Sequence, residues 1–318
     1  MNNERAKELL WLLVPFAAAL LLCVLAAQSV TADEGGAPIA KHQEIRVFRG
    51  VPYTGTLGAT DTDGGELSFT IVDEPMHGTL ELSGATFVYT PKESRVGSDE
   101  FTFTATDSDG NVSDIARVKI SVERSRSGVK YADMENCSSH TAAVALADAG
   151  VFVGAQVGED WFFEPERSVS RGEFVAMALR AMDLSPDAVT VTGFCDDAGI
   201  PVWAKGYAVS ALRSGVIRGV GTAEGIAFCA EDAITLSEAA AVLNRLLDVT
   251  DVSLEDAEES WSAQAVANLM SVSVIETGRF GAEDMKRPLS RGEAAELLAA
   301  AMTLSEGKSE GLLARLFR

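Results

Sequence analysis

The chain has 318 residues, with 47 acidic against 26 basic side chains and a formal charge of −21. That length accommodates two domains of ordinary size, and a hydrophobic fraction of 47% supports packed cores in both. The charge argues against nucleic acid or an anionic membrane surface as partner, so any anion must be caught by locally placed donors working against the overall field.

Arg5 and Lys7 precede an uncharged run from Leu9 to Ala27, and Val30-Thr31-Ala32 follows with small residues at its outer positions. This predicts a secretory signal peptide over residues 1–32. The run is also near the length of a membrane span, so an uncleaved anchor is the alternative. Leu20-Leu21-Leu22 ahead of Cys23 lacks the small residue expected before a lipid-modified cysteine. Either reading exports everything downstream.

From residue 36 to residue 122 the pattern alternates. Leu67-Ser68-Phe69-Thr70-Ile71 and Phe101-Thr102-Phe103-Thr104-Ala105 place every second residue on one face, as do 86–90 and 116–122. Asp63-Gly64, Ser83-Gly84 and Asp109-Gly110 read as hairpin turns. Short strands at this spacing predict an all-β sandwich of about seven strands. The stretches 59–64, 75–80, Tyr89-Thr90-Pro91, 97–101 and 106–110 resemble bacterial cadherin-like or immunoglobulin-like repeats of large surface proteins. That resemblance implies a spacer or adhesive module. Some relatives hold calcium through acidic loops, for which Asp61, Asp63, Asp107 and Asp109 are the oxygen donors here. The competing reading, preferred for a single module, is that these aspartates build turns.

Residues 123–128, Glu-Arg-Ser-Arg-Ser-Gly, carry no apolar side chain and read as a linker. Beyond them the periodicity becomes helical and an internal repeat emerges in three units, about 129–184, 193–249 and 252–304. Ser170…Glu173, Thr235…Glu238 and Ser290…Glu293 each fit the S/T-x-x-E capping box, in which the hydroxyl and the glutamate satisfy each other's backbone amides. Apolar residues then recur at helical spacing: Phe174, Met177 and Ala178; Val242, Leu243 and Leu246; Leu297, Leu298 and Ala301. A preceding helix is predicted over 141–149, 204–213 and 262–270. One such pair cannot bury its apolar face alone, whereas three can pack about a common axis. Residues 305–318 read as a tail, either a short amphipathic helix or a frayed end.

These units resemble surface-layer homology (SLH) repeats. The pieces that carry the resemblance are the aromatic-x-Asp or apolar-x-Asp starts, Trp203-Ala204 and Trp261-Ser262, Gly215-Val216-Ile217-Arg218-Gly219, and the three boxes. The family implies an all-α, three-repeat pseudo-trimer whose inter-lobe grooves hold pyruvylated secondary cell-wall polysaccharide, a peptidoglycan-linked glycan. Carried over residue by residue, this assigns Arg171, Arg291, Ser170, Thr235, Ser290, Gly154, Gly219, Trp203 and Trp261 to the ligand, with Gly278 one place out of register. The chemistry is coherent, because a ketal carboxylate suits free amides at a helix start backed by an arginine fork. Alternatives stand beside it: the arginines as solvated charges or partners of nearby glutamates, the tryptophans as core residues. In the second box Leu236 replaces the arginine, leaving Arg213 or Arg218 as substitutes, and Ser138 stands near the tryptophan position of the first unit. Fewer than three working grooves are therefore expected.

Cys137, Cys195 and Cys229 are far apart, and the three histidines lack paired spacing, which speaks against zinc. A bridge between Cys195 and Cys229 is one of several pairings left open. No Gly-x-Ser-x-Gly, His-Glu-x-x-His or phosphate loop occurs. The expected function is a non-catalytic protein of the bacterial cell wall surface, anchored non-covalently by its repeats and displaying the sandwich. The alternative is a membrane-tethered adhesion protein.

Overall fold

The structure, a computed structural model, describes residues 36–62, 64–250, 262–276, 280–281 and 283–316. The predicted signal peptide therefore lies outside the described residues. Among the described residues no helix is long and apolar enough to cross a membrane.

The N-terminal half is a β-sandwich. One sheet has the order β2-β9-β8-β5, built from β2 (Gln43–Phe48), β5 (Ser68–Asp73), β8 (Gly97–Thr106) and β9 (Ala116–Glu123). The other is β3-β7-β6, from β3 (Tyr53–Thr56), β6 (Gly78–Ser83) and β7 (Thr86–Pro91), while β1 (Ile39–Ala40) pairs with β4 (Ala59–Thr60). Strand β2 runs parallel to β9; the other pairings are antiparallel. The alternation read from sequence is realised in β9, where Val118, Ile120 and Val122 are buried and Arg117, Lys119 and Ser121 are exposed. Phe87, Tyr89, Phe101 and Phe103 fill the core from the two facing sheets.

The C-terminal half is helical, with six α-helices among the described residues: α1 (His140–Asp148), α2 (Arg171–Ala181), α3 (Val202–Arg213), α4 (Leu236–Leu247), α5 (Ala263–Ser271) and α6 (Arg291–Leu316). Gly150 and Gly215, at φ 69° and 74°, end α1 and α3 in the left-handed conformation that a Cβ disfavours. The segments leading into α2, α4 and α6 meet at the centre. There the Val169 amide donates to the Leu289 carbonyl at 3.0 Å, Leu289 to Ile234 at 2.8 Å, and Ile234 back to Val169 at 2.9 Å. The three side chains are fully buried.

Two features were not anticipated. The stretch between the helices of the first and second units folds into hairpins, β10 (Ala155–Val157) with β11 (Asp160–Phe162) and β12 (Val220–Thr222) with β13 (Gly225–Ala227). Strands of three mostly exposed residues leave no period-2 signature. The tail is helical, as one of its two readings had it, but not as a separate short helix: α6 runs unbroken past residue 304 to Leu316, with Gly307 inside it and no proline to end it.

The two halves touch. Phe48, at the end of β2, buries its ring in the helical core rather than the sandwich core, and the Thr141 hydroxyl donates to the Pro52 carbonyl at 3.1 Å. The predicted linker is tied down as well: the Ser125 hydroxyl and the Arg126 and Ser127 amides all donate to the Asp148 carboxylate at 2.8–2.9 Å. Burial pushes that carboxyl up, and these bonds outweigh it and hold it below its ordinary value.

Candidate functional site

The three boxes form as the sequence implies. Ser170 and Glu173 exchange bonds of 3.2 and 3.0 Å, Thr235 and Glu238 of 3.4 and 3.0 Å, Ser290 and Glu293 of 3.2 and 2.9 Å. Each hydroxyl therefore already serves as a helix cap. The free helix-start amides expected as an anion cradle are not free. The Arg171 and Gly172 amides donate to the Asp232 and Ala230 carbonyls of the second unit at 2.8 and 2.9 Å. The Arg291 and Gly292 amides donate to the Arg167 and Pro165 carbonyls of the first unit, both at 2.8 Å. Each helix start is thus stitched to the neighbouring unit. Gly172 and Gly292 permit this, since a Cβ at Gly172 would lie 3.1 Å from the Ala230 carbonyl and one at Gly292 2.7 Å from the Ser139 hydroxyl.

The box arginines differ from each other. Arg291 is 4% exposed; its Nη1 donates to the Phe163 carbonyl at 2.6 Å and to Glu164 Oε2 at 3.0 Å, and its guanidinium lies 5.0 Å from the centre of the Phe152 ring. It is an internal strut. Arg171 crosses to the second unit, where Nη2 donates to Glu238 Oε1 at 2.6 Å, while its Nε is buried without a hydrogen-bond partner. The glutamate-partner reading thus holds for both arginines. Leu236 is buried in the core. Of the two substitutes, Arg213 pairs with Asp187 at 3.0 Å. Arg218 lies near Arg245, in the last turn of α4, at the end of the helix away from Thr235.

Gly154 and Gly219 occupy equivalent positions, with φ 85° and 75°. A Cβ at Gly154 would run into the Phe162 carbonyl, and one at Gly219 into Ile226 and the Ala227 carbonyl at 2.9 Å. The close approach these glycines serve is therefore that of the hairpin's own second strand. Trp203 is 52% exposed on the first turn of α3, beside the still more open Val202, so the core-packing reading fails for it. Its neighbour Ala204 lies 3.7 Å from a Cβ built on Gly172, so it is the alanine that packs against the start of α2. Trp261 and Gly278 lie outside the described residues.

Sequence reasoning missed a pair of matched aspartates. Asp133 accepts the Phe163 and Glu164 amides at 2.9 and 2.6 Å, and Asp196 accepts the Phe228 and Cys229 amides at 2.9 and 2.7 Å. Glu164 and Cys229 both hold positive φ, 56° and 57°. The signal was present in the shared aromatic-x-Asp start, but the acceptor role depends on a loop some thirty residues away.

Of the calcium candidates, Asp107 closes its own turn, accepting the Asp109 and Asn111 amides at 2.9 and 2.8 Å. Asp63 lies outside the described residues. Among the described residues no three His, Cys, Asp or Glu side chains are placed to hold a metal ion. Cys137, Cys195 and Cys229 are free thiols; Cys195 faces Thr222 and Gly225, and Cys229 faces Asp232.

Residues 35–121 match the family model of the bacterial Ig domain. No curated protein matches the chain. Among solved structures, the endo-fucoidan hydrolase MfFcnA4 of glycoside hydrolase family 107 is similar over 31% of this chain and 15% of its own, at 25% identity and a TM-score of 0.24. The sialic acid binding region of the Streptococcus sanguinis SK1 adhesin is similar over 30% of this chain and 31% of its own, at 16% identity and a TM-score of 0.22. Titin domain M7 is similar over 28% of this chain and 96% of its own, at 14% identity and a TM-score of 0.19. The chain thus spans 15% of the length of the first of these. By the family match and its two facing sheets, the region of residues 35–121 is a bacterial Ig-like domain, and a helical region follows it.

Proposed function

We propose that this is a non-catalytic bacterial cell-surface protein whose helical half is an SLH-type anchor gripping an anionic, pyruvylated wall polysaccharide, with the Ig-like sandwich as its displayed module. The hydrogen-bonded ring of Val169, Ile234 and Leu289 supports a pseudo-threefold arrangement of the units. The matched caps, aspartates and hairpin glycines support their equivalence. The observation that carries ligand binding is local. Arg171, whose side chain is partly buried and paired with Glu238, keeps its buried Nε without a hydrogen-bond partner among the described residues. The groove between the first and second units is then the working one. Arg291 is consumed internally, and the groove of the second box has Leu236 in place of an arginine.

The test is co-sedimentation of the chain from residue 36 onward with purified wall sacculi, before and after the pyruvylated polymer is stripped. Binding lost on stripping supports the reading, and equal retention on stripped walls rejects it. Arg171→Ala is expected to weaken binding about tenfold, the loss of one charge-assisted contact.

A further inference from the structure

A cleft of about 1470 Å3 runs between the sandwich and the helical half. Strands β2 and β3 and the end of β9 form one wall; α1, residues 296–307 of α6 and the turn after α5 form the other. Pockets at domain boundaries with a few convergent polar groups are where ligands bind most often. The polar groups here come from both halves. Tyr53 rests against the core ring Phe87, with centroids 6.0 Å apart, and no group of the described residues bonds its hydroxyl. Burial first, then the charges of Glu276 and Glu296, push that hydroxyl's pKa up to about 12, so it stays a neutral donor. Glu276 is exposed and pairs with no cation among the described residues. Ser138 donates to Glu296 Oε1 at 3.1 Å. Three cations, Arg46, Arg124 and Arg126, line the cleft against six carboxylates, Glu44, Glu123, Asp148, Glu276, Glu296 and Glu306, and Arg46 is held by Glu123 at 3.1 Å and Glu306 at 3.2 Å.

The repeat adds a second argument. Ser139 meets the start of α6 as Ala204 meets the start of α2, so Ser138 occupies the place that Trp203 takes in the second unit. The first unit has no ring there, and the sandwich brings Tyr53 to the same cleft.

We propose that this cleft is a second binding site, for an uncharged, hydroxyl-rich glycan segment, formed by Tyr53 and Thr54 of the sandwich and Ser138, Glu276 and Glu296 of the helical half. The carboxylates accept sugar hydroxyls, the tyrosine hydroxyl donates, and its ring offers an apolar edge to the sugar's C–H face. Glu276 and Glu296 repel an anionic glycan. The site is therefore distinct in charge from the groove at Arg171 and stands whether or not that groove binds the wall.

The test is calorimetric titration of the chain from residue 36 onward with an uncharged β-1,4-linked N-acetylglucosamine tetramer and with its fully deacetylated, cationic form. Binding of the uncharged tetramer is expected. Tyr53→Phe, which keeps the ring, and Glu276→Gln, at an exposed position, are each expected to weaken it at least about fivefold, the worth of one hydrogen bond. Thermal melting of both variants should match the parent, and Arg171→Ala should leave this binding intact, which separates failure here from failure of wall anchoring. No binding of the uncharged tetramer, undiminished binding in both variants, or tighter and strongly salt-dependent binding of the cationic form would overturn the proposal.

Discussion

The Tyr89 hydroxyl donates to Asp99 Oδ2 at 2.9 Å inside the sandwich, and the same carboxylate accepts the Met76, His77 and Glu100 amides at 2.8–3.0 Å. One buried side chain thus pins a core ring and a loop. Asp99→Ala leaves four donors without their acceptor and is expected to lower unfolding free energy by about 3 kcal/mol. Chemical denaturation of the parent and the variant measures the difference.

The same carboxylate sets an acid limit. Burial pushes the Asp99 pKa up, and the His77 amide, the Tyr89 hydroxyl and the other two amides outweigh it and hold it below its ordinary value. A depressed carboxyl contributes stability that is complete above its unfolded pKa of about 4 and is lost as pH falls through the lower folded value. Melting temperature should therefore drop below about pH 4 in the parent. In Asp99→Asn that portion of the drop should be absent, because an amide does not titrate there.

Arg171 and Arg291 sit at matching positions at the start of their helices, yet they should respond differently. Arg291→Ala removes a strut that is 4% exposed and leaves the Phe163 carbonyl unpaired; a loss of about 3 kcal/mol in stability is expected. Arg171→Ala breaks a partly buried pair with Glu238 and should lose about 2 kcal/mol while weakening wall binding. Parallel melting and sedimentation of the two variants separate these outcomes. A large stability loss at Arg171 with unaltered sedimentation would count against its ligand role.

Gly154→Ala and Gly219→Ala force a Cβ into the facing hairpin strand at positive φ. Each should destabilise by about 2 kcal/mol in the absence of any glycan. If either variant instead melted like the parent and lost only wall binding, the glycine would be serving the ligand.

The caps, the strands and the helix faces were legible because their causes are local. Ser170 and Glu173 are three residues apart, and the alternation of β9 lies within one strand. What was not legible depends on distant partners. Arg171 meets Glu238 across 67 residues and Arg291 meets Phe163 across 128, so whether a box arginine is open or spent is decided by the neighbouring unit. Trp203 was similarly ambiguous, since a tryptophan on the first turn of a helix packs inward or outward according to what lies beside it. The docking of Phe48 into the helical half was not legible either, because its partners lie in helices far along the chain.

The central ring has a consequence for how the chain comes to be folded. Its last member, Leu289, is made long after Val169, and both the amide of Val169 and the carbonyl of Ile234 await it. A chain emerging from its N-terminus first completes the Ig-like domain on its own. The first two helical units stay open, with apolar faces uncovered, until the third arrives. Truncation before residue 289 is thus expected to leave an aggregation-prone intermediate instead of a smaller stable bundle.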